Sequence, residues 1–319
     1  MKIRKLLCIL ASVAMILSLS ACGCTVDDPA DVNGTGTTTT PVTTTMETTT
    51  NADTSVIGSE DKTERTTERT PEETSERTTD RMDDSRVTDE AAYASSYIDI
   101  TKVCWGLGKE KNEKNQPIDA IKAEEKYKLY NAEFLSEDKT IRLTFDEGYE
   151  NGYTAEILDI LKEKDVKALF FVTYDYCKNS PDLVQRMIDE GHTVGNHSYT
   201  HPSFPDCSES EIIDEVMVLH DYVAEQFGYE MTYFRFPKGE FSENALKTVK
   251  SLGYTSVFWS FAYNDWDTGN QPDKAEALQK IKDSTHSGIY LLHAVSETNT
   301  AILGEIIDYW KTEGYTVTA

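Results

Sequence analysis

The sequence predicts an α/β fold, a distorted parallel (β/α) barrel of about seven strands with a short N-terminal extension. Three observations carry this expectation. From Lys139 onward, short runs rich in β-branched and aromatic residues alternate with amphipathic helical runs, and strand–helix–strand order of this kind builds a parallel sheet. The alternation repeats seven times before the last residue, Ala319, which suits a closed or nearly closed barrel. No Gly-x-Gly-x-x-Gly follows the first strand, so the turn that a dinucleotide-binding sheet needs is missing.

Taken in order, the strands are expected over residues 140–146, 166–174, 192–196, 232–236, 254–260, 287–293 and 315–318. The clearest helix between them carries Ile212, Val216, Leu219, Val223 and Phe227 on one stripe, with Ser208 placed to cap its start. In such barrels chemistry sits at the C-terminal ends of the strands. Asp146 and Glu147 close the first strand, His197 and His201 follow the third, Arg235 ends the fourth, Asp265 follows the fifth and His293 ends the sixth. Five strand ends therefore send titratable or cationic groups to one rim.

Ahead of the barrel the composition changes. Lys2, Arg4 and Lys5 precede an apolar run over residues 6–19, too short to span a bilayer comfortably but suited to an export signal. It ends in Leu19-Ser20-Ala21-Cys22, which resembles the lipobox of bacterial lipoproteins and implies a signal over 1–21, acylation of Cys22 and an extracytoplasmic protein held to the membrane by lipid. Residues 22–90 read as a disordered acidic linker: from Thr25 to Glu90 there are 21 Thr and no Phe, Tyr or Trp, so the segment cannot bury enough apolar area to offset its ordering entropy. A flexible coil of that length spans about 45 Å, enough to reach into a cell wall. Residues 91–138 form the N-terminal extension and 139–319 the barrel domain, for which a monomer is expected. The net charge of -25 disfavours nucleic acid as a partner. Cys24, Cys104, Cys177 and Cys207 show no C-x-x-C spacing, so a cysteine zinc site is unsupported, and any disulfide pairing is not legible.

The motifs can be weighed one by one. Thr144-Phe145-Asp146-Glu147-Gly148 sets two carboxylates side by side, one able to bind a metal and the other to take a proton; alone, such a pair is commonly a solvated loop. His197-Ser198-Tyr199-Thr200-His201 places two imidazoles at i and i+4, which one helical turn ended by Pro202 would aim at a single ion, and zinc suits two imidazoles best. With Asp146 and Glu147 on a neighbouring strand they would form a His/His/carboxylate site, Glu147 being the carboxylate expected on the metal. Arg235 ends a strand where its guanidinium can hold a carboxylate ionised and oriented, and Asp265 offers it a second partner. Pro237, Lys238, Trp266 and Leu291 lie beside these groups as expected substrate contacts, and His293 can serve as an acid. His192, His220 and His286 are read as structural.

These segments, in this order and spacing, resemble the polysaccharide deacetylases of carbohydrate esterase family 4, the NodB homology type, over residues 139–319. Trp105-Gly106, Tyr149-Glu150-Asn151-Gly152-Tyr153, Phe258-Trp259-Ser260 and His293-Ala294-Val295-Ser296 are similar to the delta-lactam-forming branch, which deacetylates N-acetylmuramic acid in peptidoglycan. The resemblance implies Asp146 as general base, His197 and His201 as ligands of a divalent ion, Arg235 as the residue orienting Asp146, Asp265 as the tether of Arg235, and His293 as the acid. Two positions depart from the family pattern: Glu147 stands where a second Asp is common, and Lys238 where a neutral aromatic is frequent. An ammonium there would suit the lactyl carboxylate of a muramic sugar stripped of its peptide. Deacetylation of N-acetylglucosamine in a wall polymer is the alternative within enzymes, and a carbohydrate-binding module without catalysis is the alternative outside them.

Overall fold

One edge of the sheet, the short strand over Ala132–Glu133, is set by residues that lie before the expected start of the barrel. The computed structural model describes residues 99–319; the expected signal over 1–21, the acylated Cys22, the linker over 22–90 and the first residues of the extension lie outside the described residues. Within them the order is β1 (Val103–Cys104), α1 (Ile118–Tyr127), β2 (Ala132–Glu133), β3 (Thr140–Glu147), α2 (Thr154–Glu163), β4 (Leu169–Val172), α3 (Tyr174–Asn179), α4 (Pro181–Asp189) and β5 (Thr193–Asn196). There follow α5 (Glu209–Phe227), β6 (Tyr233–Phe234), β7 (Glu240–Phe241), α6 (Glu243–Ser251), β8 (Thr255–Val257), α7 (Lys274–Asp283), β9 (Gly288–His293), α8 (Glu297–Thr312) and β10 (Thr316–Thr318). Strands are present at all seven expected places; six have shorter ends, and β3 runs one residue farther, to Glu147.

The pairing runs β10-β3-β4-β5-β6-β8-β2, with β9 also on β3, and every pair in this sheet is parallel. Ile141 and Arg142 pair with both β9 and β10, so β10 shares with β4 the edge of β3 opposite β9. The sheet curls until the chain after β8 meets β9. There Phe261 bridges Tyr290, Ser260 N donates to Ile289 O at 2.9 Å, and Leu291 N donates to Phe261 O at 2.9 Å. The extension is part of this sheet: β2 pairs β8, Phe134 stacks on Phe258 at 4.4 Å, and Trp105 Nε1 donates to Trp259 O at 2.9 Å. Cys104 is disulfide-bonded, whereas Cys177 and Cys207 are free thiols. Among the described residues no helix is long and apolar enough to cross a membrane.

Alternation along the strands sorts two cores. Ile141, Leu143 and Phe145 of β3 join the large outer core beneath the helices, while Leu169, Phe171, Val257 and Ile289 form a small separate cluster inside the barrel. The inner space is tight: a Cβ on Gly195 would stand 2.6 Å from the Phe171 ring, so glycine in β5 is what lets that ring occupy the interior. Helix α5 forms as its stripe predicts, burying Ile212, Val216, Leu219 and Val223. It starts at a capping box between Ser208 and Glu211 and stops at left-handed Gly228.

Candidate active site

The inner face of β3 delivers Thr144 and Asp146 toward Arg235, which directly follows β6 and is wholly buried. The guanidinium lies over the Phe171 ring at 4.2 Å, and every nitrogen has an acceptor. Nε donates to Val257 O at 3.0 Å, Nη2 to Phe258 O at 3.2 Å, and Nη1 to Thr144 Oγ1 and Asp146 Oδ1, both at 2.8 Å. A charge this deep survives because it is paired with Asp146 and each of its nitrogens donates a hydrogen bond. Burial pushes the Asp146 carboxyl up, but the Arg235 charge, with the neighbouring His197 and His293 rings, outweighs it and holds the group below the usual carboxylate range. Asp146 is therefore an ionised acceptor with Oδ1 occupied. Its Oδ2 lies 3.5 Å from His197 Nε2.

The expected helical turn between the two imidazoles is not formed. Residues 197–203 are a loop in which Ser198 (φ 73°) and His201 (φ 59°) adopt the left-handed conformation, each at a cost of order 1–3 kcal/mol. The bend still brings the rings together, their centres 4.8 Å apart. His197 Nδ1 donates to Arg235 O at 2.9 Å, which leaves the Nε2 lone pair open toward Asp146. Burial keeps both rings neutral, lowering His197 and pushing His201 down to about 3. Two neutral imidazoles with open lone pairs fit a divalent cation.

Glu147 does not join them. Among the described residues no three His, Cys, Asp or Glu side chains gather as a metal cage, and both Glu147 oxygens are buried without a hydrogen-bond partner. The reason is the period of the strand: with Asp146 facing the barrel, Glu147 turns to the other face, near Glu150 and Tyr176. Burial first, then the charges of Glu150 and Asp146, raise its carboxyl well above the ordinary value. A carboxyl raised on folding weighs against the fold once the pH exceeds its unfolded pKa. Glu147→Gln is therefore expected to gain about 1 kcal/mol or more over the native chain as pH rises from 4 to 7 in urea titrations, and to leave Zn2+ affinity unchanged. Weakened Zn2+ binding would return Glu147 to the ligand set.

Asp265 also has a different partner from the expected one. It does not reach Arg235, whose bonds run to the carbonyls of Val257 and Phe258, to Thr144 and to Asp146. Its Oδ1 accepts from His293 Nδ1 at 2.8 Å, and its Oδ2 accepts from His293 N at 2.9 Å and Asn299 Nδ2 at 2.5 Å. Tyr263 in turn hydrogen-bonds Asn299 Oδ1. Burial lowers the His293 imidazole, but the charge and hydrogen bond of Asp265, with Asp146, raise it above its ordinary value. Asn299 and Tyr263 carry no motif that marks them in the sequence. The only local sign is Ser296, which caps α8 by accepting from Asn299 N and so fixes where Asn299 sits.

Asp146, His197, His201 and His293 line one cleft of about 970 Å³, together with Lys238, Leu291 and Trp266. Pro237 does not line it: it is buried beneath the bend, and Lys238 and Gly239, both left-handed, face the opening instead. Gly239 is required there, since a Cβ would stand 2.7 Å from the Trp259 ring. Trp266 and Tyr149, exposed by 58% and 54%, give the cleft two aromatic faces of the sort that stack on sugar rings. The arrangement thus sets an ionised acceptor and an acidic imidazole on the walls of one apolar cleft beside an open imidazole pair.

A parallel barrel with this rim defines a hydrolase of the polysaccharide deacetylase type, and residues 136–257 match the polysaccharide deacetylase family. The chain belongs to that family. It is 43% identical over 217 residues to the peptidoglycan-N-acetylmuramic acid deacetylase PdaA of Bacillus subtilis (strain 168), covering 66% of this chain and 82% of that one. It is 46% identical over 227 residues to an uncharacterised 30.6 kDa protein of Geobacillus stearothermophilus, covering 70% and 85%. The solved structure of Bacillus subtilis PdaA, a family 4 carbohydrate esterase, superposes with a TM-score of 0.65 at 40% identity, covering 69% of this chain and 95% of that one.

Proposed function

We propose that this protein hydrolyses the N-acetyl group of N-acetylmuramic acid in peptidoglycan, releasing acetate. The observation that carries the reading is the pairing of Arg235-held Asp146 with Asp265-held His293 across a cleft beside His197 and His201. The relation to PdaA supports the muramic sugar. Polysaccharide deacetylases of this family are metalloenzymes, so the cofactor is a divalent ion; two imidazoles favour zinc. His197 and His201 would hold it, and when bound it polarises an amide carbonyl and lowers the pKa of water. Asp146 takes the water proton on Oδ2 while Arg235 keeps that carboxylate ionised. His293, its Nδ1–H fixed by Asp265, gives a proton from Nε2 to the departing amine. Aromatic Trp266 and Tyr149 position the sugar.

Lys238 lines the same cleft and is exposed. Its ammonium suits the lactyl carboxylate of a muramic residue without its peptide. Lys238→Ala is expected to raise KM for amidase-stripped glycan about tenfold while leaving N-acetylglucosamine oligomers unaffected; an equal loss on both would overturn the carboxylate contact. We place the enzyme outside the cytoplasm as a monomer, anchored through acylated Cys22 with the Thr-rich linker reaching the wall. The supporting signs are the N-terminal residues and the peptidoglycan substrate.

The deciding measurement is acetate release from amidase-treated peptidoglycan, with mass spectrometry of the digested glycan. Muramic deacetylation that stops with a chelator and returns with Zn2+ is the expected result. Acetate lost only from glucosamine would move the substrate to the other sugar, and binding without release would make the protein a carbohydrate-binding module.

A further inference from the structure

The loop that carries His197 and His201 departs from relaxed backbone at two non-glycine residues, so something must hold it. The helix α5 does so by two arms. In the outer arm, Glu215 accepts from Thr200 N at 2.8 Å and from Thr200 Oγ1 at 2.5 Å, and its own carbonyl accepts from Tyr199 N at 2.9 Å. In the inner arm, Asn196 Oδ1 accepts from Ser198 N at 2.8 Å, and Ser198 Oγ accepts from His201 N at 3.0 Å. Asn196 Nδ2 then donates to Val216 O at 2.8 Å and to Tyr254 Oη at 3.3 Å.

The inner arm continues outward with one consistent set of protons. Asn196 cannot be flipped, because its NH2 would then meet the Ser198 N–H and its oxygen the Val216 carbonyl. Tyr254 Oη therefore accepts from Asn196 and donates to His220 Nδ1 at 2.6 Å, which leaves the proton on His220 Nε2 facing Glu230 Oε2 at 3.0 Å. Each donor has one acceptor from the surface to the loop. Asn196 and Tyr254 are buried, so a group lost from the row leaves its neighbour without water to replace it.

We propose that Glu215 and the Tyr254–His220 pair are positioning residues that hold the His197–His201 loop in its ion-binding shape from helix α5. This rests on reading the two imidazoles as metal ligands. The test uses the full chain with Glu215→Ala and Tyr254→Phe, the second removing a single oxygen from a retained ring. Two readouts are taken: hydrogen exchange of the Ser198, Thr200 and His201 amides in metal-free protein, and Zn2+ affinity by calorimetry. Each variant is expected to speed exchange at those amides at least about tenfold without change at the β4 amides, to weaken Zn2+ binding about 10- to 100-fold, and to recover kcat in excess Zn2+. Native exchange rates at the loop would overturn the proposal, as would faster exchange with unchanged Zn2+ affinity. A native chain that binds no divalent ion would instead remove the metal reading, and the exchange data would still decide whether α5 holds the loop.

Discussion

Asp265→Asn is expected to lower kcat by about 10²- to 10⁴-fold while the fold is retained. The carboxylate accepts three hydrogen bonds, from His293 Nδ1, His293 N and Asn299 Nδ2, and an amide can accept on only one of its two ends. If the NH2 takes the Oδ1 place, it donates to His293 Nδ1 and forces the neutral ring, whose remaining Nε2 proton is far too weak an acid for a departing amine. If it takes the Oδ2 place, it faces two donors. The pH profile separates this from simple loss of packing. Burial lowers His293, but the Asp265 charge raises it above its ordinary value, so the protonated acid persists below that raised pKa and activity falls as pH climbs through it. Without the Asp265 charge the pKa drops and the alkaline limb of the kcat profile moves to lower pH. A variant with reduced kcat and an unmoved alkaline limb would remove His293 as the acid.

That partnership was out of reach in the sequence, and the reasons are physical. Period-two runs and a period-3.6 stripe are local, so the seven strands and α5 are legible, and strand-end logic then places Asp146, His197, Arg235 and His293 on one rim. Asp265 lies in the irregular stretch between β8 and α7, where no period says which way a side chain turns. Asn299, 34 residues farther on, becomes its partner only because β9 and α8 close over it. The short β2 gives too few residues for any alternation to show. Glu147 is different, since its position was readable. If Asp146 faces the barrel, alternation sends its neighbour to the helix side, and the likeness to a two-acid family motif hid that rule.

Arg235→Met carries the largest expected loss of stability, about 3–5 kcal/mol at pH 7, because it leaves the Asp146 carboxylate buried without its cation. The carbonyls of Val257 and Phe258 lose their side-chain donors in the same step. The sign of the pH effect follows from Asp146. In the native protein burial raises this carboxyl, yet Arg235, His197 and His293 bring it below the model-peptide value, so the pair adds stability above the unfolded pKa that is lost as pH falls through the folded one. In the variant burial acts against the remaining charges only, the pKa rises, and the group takes up a proton at higher pH. The gap between native and variant should therefore be widest near neutrality and shrink as pH falls, first through the raised pKa of the variant's carboxyl and on toward the lowered one of the native protein. Urea titrations at pH 7 and pH 3.5 read this directly. Arg235→Lys keeps the charge but not the fork, so it should recover part of the stability and little of the turnover, because a single ammonium cannot serve Thr144, Asp146 and the carbonyls of Val257 and Phe258 at once. A loss that is the same at both pH values would mean that Arg235 holds the barrel by its packing on Phe171 and contributes nothing through the ionisation of Asp146.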